Sequence, residues 1–110
     1  MNAEAAKRIA AAIHAIPPGQ VAGYGEVARR AGLPGRARLV ARLLSQNDHA
    51  RLPWHRVLRS DGRIAFADGS AAFLEQCLRL RAEGVRVERG RVRDMAAAPT
   101  LDAQLWGPAD

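Results

Sequence analysis

The chain has 110 residues, the size of one domain at roughly 150 residues per domain, which excludes a two-lobed enzyme with a cleft between large lobes. Hydrophobic residues make up 48% and charged residues 25% of it, ordinary for a globular domain, so wholesale disorder is excluded. Seventeen basic against eleven acidic residues leave a net charge of +6, and Lys7 is the lone lysine among the basic residues; this arginine excess favours nucleic acid or an anionic surface without deciding between them.

The chain begins with a predicted helix from Ala3 to Ile16, on which Ile9, Ile13 and Ile16 form one apolar stripe while Lys7 and His14 lie opposite. Pro17-Pro18-Gly19 stops it, and residues 20–23 read as a link. A shorter helix is expected from about Gly25 to Ala31, closed by Gly32. Pro34-Gly35 is a turn. A third helix follows from about Arg36 to Gln46. Leu39, Val40, Leu43 and Leu44 make its buried side, and Arg38, Ala41, Arg42 and Ser45 its outer side. Short helix, glycine-bearing turn and second helix read either as a helix-turn-helix or as two ordinary packed helices with a solvated arginine face. From Arg29 to Arg63 nine arginines face only Asp48 and Asp61, so this stretch is the anion-facing part of the chain.

Beyond Asn47 the chain reads as a loop. Asp61-Gly62 then predicts a hairpin turn between Val57-Leu58 and Ile64-Ala65-Phe66. A fourth helix is expected from about Ser70 to Glu83, capped by Asp68 or Ser70, with Phe73, Cys77 and Leu80 on its inner face. Val85, Val87 and Val92 around Arg89-Gly90 suggest a last small hairpin. The fold class is mainly α with small β-hairpin elements. Residues 1–93 form the body and residues 94–110 an acidic tail, in which Leu105-Trp106 is expected to dock back on the body.

The chemistry-bearing residues are sparse. A lone cysteine, Cys77, allows neither an internal disulfide nor a cysteine zinc site, which fits a reducing compartment, and its apolar helix face predicts a buried, inert thiol. His14, His49 and His55 lack metal-ligand spacing, so no metal is expected. No phosphate-binding glycine loop, Ser-His-acid set or carboxylate pair stands out, and no cofactor is expected. No run of about 18 apolar residues and no signal-peptide core occur, so a cytoplasmic location without a membrane partner is expected.

The sharpest feature is Pro53-Trp54-His55-Arg56-Val57. It resembles the Pro-Cys-His-Arg-Val signature of the O6-alkylguanine-DNA alkyltransferases, with tryptophan at the cysteine. In that form it resembles the alkyltransferase-like proteins, their non-enzymatic relatives. The likeness continues through Ile16-Pro17-Pro18-Gly19-Gln20-Val21, Tyr24-Gly25-Glu26-Val27-Ala28, Arg36-Ala37-Arg38-Leu39-Val40 to Asn47, Ser60-Asp61-Gly62 and Ala82-Glu83-Gly84-Val85, in order.

The resemblance implies a winged-helix-like helix-turn-helix domain that docks in the DNA minor groove and extrudes the damaged base. By position, Arg38 is implied to enter the duplex in place of the flipped nucleotide. Tyr24 is implied to crowd its phosphate, Ala41 to allow close approach, and Arg42 to contact phosphate. Trp54, with Val57, Ala67 and Asp68, is implied to line the lesion pocket. Asn47, His55, Arg56 and Glu83 are implied to form a supporting polar network. The stretch Ala67-Asp68-Gly69-Ser70 lacks the aromatic of the transferase lid, which predicts a roomier pocket. The implied partners are double-stranded DNA containing O6-alkylguanine and nucleotide excision repair proteins, with the protein a monomer. An active alkyltransferase using another acceptor and a winged-helix transcription regulator are the competing readings.

Overall fold

The computed structural model describes residues 3–46 and 51–92. Asn47, His49 and the acidic tail with Leu105-Trp106 lie outside the described residues. Helix α1 spans Ala3–His14 and buries Ala5, Ile9, Ala12 and Ile13 on one side, at the spacing the isoleucine stripe predicts. It ends two residues earlier than expected because Pro17 disfavours helical backbone just before it. Ile16 still reaches the core from the following turn.

Helices α2 (Tyr24–Arg30) and α3 (Ala37–Ser45) pack as a helix-turn-helix. Each is slightly offset or shorter than the sequence suggests, with Gly23 and Arg36 standing just before their first turns. Val27, Ala28, Ala31 and Val40 are buried between the two helices and α1, and Leu33, Leu39, Leu43 and Leu44 pack against them. This leaves Arg38 and Arg42 exposed on the outer face of α3. An exposed arginine face fits both a helix-turn-helix and two ordinary packed helices, so it does not by itself choose between them.

The hairpin expected at Asp61-Gly62 is corrected. Val57–Leu58 (β2) pairs in parallel with Ala22–Gly23 (β1), a segment the sequence offered only as a link. Two residues give too little alternation to signal a strand, and a parallel partner far along the chain leaves no local turn signature. Ile64 instead hydrogen-bonds to the last hairpin, its N–H donating to the Gly90 carbonyl at 2.8 Å. That hairpin forms as expected, β3 (Val87–Glu88) pairing antiparallel with β4 (Arg91–Val92). Its turn places Arg89 and Gly90 at φ of 53° and 74°. Gly90 is required there, because a Cβ would also lie 2.8 Å from the Phe73 ring.

Helix α4 (Ala71–Ala82) starts at Ser70, whose hydroxyl accepts from the Phe73 N–H at 3.2 Å; Ser70, not Asp68, is the cap. Cys77 and Leu80 are buried beneath it with Val21, Leu58, Ile64, Val87 and Val92. The β1–β2 pair is the seam of the molecule. Successive strand residues point to opposite faces, so Ala22 and Val57 enter the helix-turn-helix core while Val21 and Leu58 enter the α4–hairpin core.

Candidate nucleic-acid interface

A 3-10 turn, Trp54–Arg56, leads directly into β2 and sets three side chains in three directions. His55 is buried, Arg56 is half-buried and turned to the end of α4, and Trp54 is half-buried at the surface. The Trp54 indole meets the Phe66 ring edge-on at 5.8 Å between centroids, at 88°. The Arg79 guanidinium lies over the indole, 5.5 Å from its centroid, and is itself held by Glu75 at 2.7 Å.

The Ala67–Ser70 stretch lacks an aromatic, as the sequence shows, and the ring beside Trp54 is that of Phe66, one residue earlier. Ala67 and Asp68 are exposed. Val57 is 3% exposed and spends its side chain in the helix-turn-helix core, which corrects its expected place as a wall beside Trp54.

Beneath Trp54 lies a buried ionic knot. His55 Nε2 is 2.8 Å from Glu83 Oε2, and Arg56 Nη2 donates to the same oxygen at 2.7 Å. The Gly19 N–H donates to Glu83 Oε1 at 3.1 Å, and Arg56 Nη1 donates to the Ile16 carbonyl at 2.9 Å. Burial works to raise the Glu83 pKa. The hydrogen bonds from Arg56, His55 and Gly19, together with the His55 charge, override it and bring the value down to about 2. Glu83 is thus a carboxylate at neutral pH and accepts a hydrogen bond from the His55 Nε2–H. The structure brings His55, Arg56 and Glu83 together; Asn47, their expected fourth member, lies outside the described residues.

Gln76 escaped the sequence reading. It is 1% exposed, and its amide donates to the His55 and Val57 carbonyls at 3.0 and 3.1 Å, fixing the 3-10 turn to α4. Its signal was available: a polar residue three after Phe73 and four before Leu80, on the inner face of the helix. Arg79 could have been marked only as the partner of Glu75.

On the helix-turn-helix side, Arg38 and Arg42 share an open groove with Arg36 at the start of α3. Ala41 is partly covered between them, on the same outer side. Tyr24 opens α2 and packs partly against the core. Burial raises its phenol pKa and the nearby Arg59 charge partly offsets this, so the group stays protonated and can donate. Cys77 is 5% exposed inside the α4 core. Burial raises its thiol pKa, with Arg81 opposing and Asp68 reinforcing, as expected for an inert thiol. Among the described residues no group of histidine, cysteine or carboxylate side chains is arranged to hold a metal ion.

Residues 4–85 match the family model described as 6-O-methylguanine DNA methyltransferase, DNA binding domain. The chain is 41% identical over 87 residues to a DNA base-flipping protein of Vibrio parahaemolyticus, covering 77% of this chain and 85% of that one. It is 40% identical over 98 residues to alkyltransferase-like protein 1 of Schizosaccharomyces pombe, covering 88% and 89% of the two chains. The crystal structure of S. pombe Atl1 in complex with damaged DNA containing O6-carboxymethylguanine superposes with a TM-score of 0.71 at 37% identity, over 80% of this chain and 82% of that one.

Proposed function

Because this chain belongs to the family of 6-O-methylguanine DNA methyltransferase DNA-binding domains and is an alkyltransferase-like member of it, we propose that it recognises O6-alkylguanine in duplex DNA and holds the lesion without removing the alkyl group. The outer face of α3 docks in the minor groove, where Ala41 lets the helix approach closely and Arg42 meets a phosphate. Arg38 enters the base stack as the damaged nucleotide leaves it, offsetting part of an unstacking cost of a few kcal/mol. The protonated Tyr24 phenol, at the first turn of α2, presses on and donates to the adjoining phosphate. The extruded base is received against the Trp54 indole, with Phe66 at the indole edge.

One observation carries the absence of transfer. The position that leads the His-Arg pair holds an indole, and the lone thiol of the chain is Cys77, sealed in the α4 core. Alkyl transfer needs an accessible thiolate, and the Glu83–His55 knot has none beside it to activate. The knot instead fixes the backbone from which Trp54 projects. A protein that marks a lesion and leaves it intact must hand it on, so nucleotide excision repair proteins are the proposed recipients, and a monomer is the proposed binding unit.

The experiment uses two matched duplexes, one with guanine and one with O6-methylguanine carrying a labelled methyl group, at stated salt. Tighter binding to the lesion with all label remaining on the DNA supports the reading. Label retained on the protein would revive the transferase, and preference for a particular undamaged sequence would favour a transcription regulator.

A further inference from the structure

A cleft of about 660 Å³ opens between the turn after β2 and the β3–β4 hairpin. Four arginines line it, Arg59, Arg63, Arg89 and Arg91, against two carboxylates, Asp68 and Glu88. Its walls form one backbone network. The Arg59 N–H donates to the Arg63 carbonyl at 2.9 Å, and the Val92 N–H to the Gly62 carbonyl at 2.9 Å. Arg63 and Arg91 face each other in an antiparallel bridge. The arginine backbones are thus held at fixed separations.

The charges in the cleft are not balanced. Arg63 lies 3.7 Å from Asp61, and Glu88 lies 3.6 Å from Arg86. Arg59, Arg89 and Arg91 form no ion pair among the described residues. The cleft also begins beside the proposed DNA site. The parallel β1–β2 register pairs Gly23 with Leu58, so Tyr24 and Arg59 are the residues that follow the two paired strands. The approach is close: a Cβ on Gly23 would lie 3.1 Å from the Ser60 Cα. The Arg59 charge accordingly acts on the Tyr24 phenol.

We propose that this cleft is a second phosphate-binding site, in which Arg59, Arg89 and Arg91 hold the DNA backbone beyond the phosphate at Tyr24 and extend the contact from the helix-turn-helix to the hairpin. Three guanidinium groups without an ion pair among the described residues, lining one open cleft in excess of its carboxylates, match a polyanion better than a single small anion. The proposal rests on the DNA-binding reading. It adds three residues to the interface that lie outside both helices of the helix-turn-helix, in a cleft that shares Phe66 with the Trp54 site.

The test substitutes Arg59→Gln, Arg89→Asn and Arg91→Gln, singly and together. Asparagine tolerates the left-handed backbone at position 89 and suits a turn followed by glycine, so the hairpin is kept; the thermal midpoint of each variant verifies this. Dissociation constants are measured for guanine and O6-methylguanine duplexes across a salt series. Each substitution should reduce the slope of log affinity against log salt by about one. It should weaken both duplexes by the same factor, leaving their ratio unchanged. An unchanged slope in the folded triple variant would overturn the proposal, as would a loss confined to the lesion duplex, which would move the arginines to the base pocket. If the unsubstituted protein binds both duplexes equally, lesion recognition fails while the slope on plain DNA still decides the arginine cleft. If it binds neither, both proposals fail.

Discussion

Glu83 and Trp54 are joined through His55, the first a hub of hydrogen bonds and the second the proposed surface for the extruded base. Glu83 gathers Arg56 and His55 from the 3-10 turn and the Gly19 N–H from the loop after α1. Its folded pKa of about 2 lies below the ordinary 4.5. It therefore contributes stability that is complete above the ordinary value and is lost as pH falls from there through about 2. Glu83→Gln should lower stability at neutral pH by on the order of 2 kcal/mol, because charged donors lose their anion in a half-buried site. The variant should also lose the Glu83 share of the acid-side slope; thermal midpoints measured from neutral pH down to about pH 2 check both effects. Trp54 is half-buried at the surface and lies outside both buried cores, so Trp54→Ala should fold. Base stacking on an aromatic ring is worth about 1–3 kcal/mol, so its preference for lesion over guanine should fall about tenfold or more, read by competition binding.

At the scale of elements, α3 was the most legible part of the sequence. Four apolar residues in one arc and arginines in the other left little choice of orientation, and the packing of Val40 against α2 follows that arc. The β1–β2 pair was illegible for the opposite reason: two residues each, parallel, separated by the whole helix-turn-helix. The contact between Trp54 and Phe66 had no signal in the sequence, because the two residues lie on separate segments with no shared periodicity. The polar knot was legible only through the resemblance, since nothing local links residues 19, 56 and 83. The exposure of Arg38 separates folding from binding. Arg38→Ala should change stability by no more than about 0.5 kcal/mol and weaken lesion binding by about tenfold or more, the loss of some 1–2 kcal/mol of unstacking compensation. Circular dichroism melting and lesion titration of one sample measure the two effects together.

Across the whole molecule, two small cores share one seam. Val57 and Leu58 are consecutive, yet one supports the helix-turn-helix and the other supports α4 and the hairpin. The Glu83 knot ties the same halves at the end of α1, the 3-10 turn and the end of α4. Neither half can loosen without pulling on this seam, so the described body should unfold in one transition. Leu58→Ala, at a position with no solvent exposure, should cost about 2–5 kcal/mol. It should lower the midpoint equally when followed by helical circular dichroism and by near-ultraviolet aromatic signals; separate shifts would show that the halves unfold independently. This shared rigidity keeps the Arg38 helix, Trp54 and the arginine cleft at fixed separations. The net charge of +6 favours approach to DNA of any sequence, and on the proposed function discrimination comes from the extruded base.

The most direct measurement equilibrates the intact protein with an O6-methylguanine duplex, then weighs the protein by mass spectrometry and assays the recovered DNA for the modified base. The account predicts tight, lesion-selective binding, an unchanged protein mass and full recovery of O6-methylguanine. A protein heavier by one methyl group with guanine restored in the duplex, or equal affinity for the undamaged duplex, would contradict it.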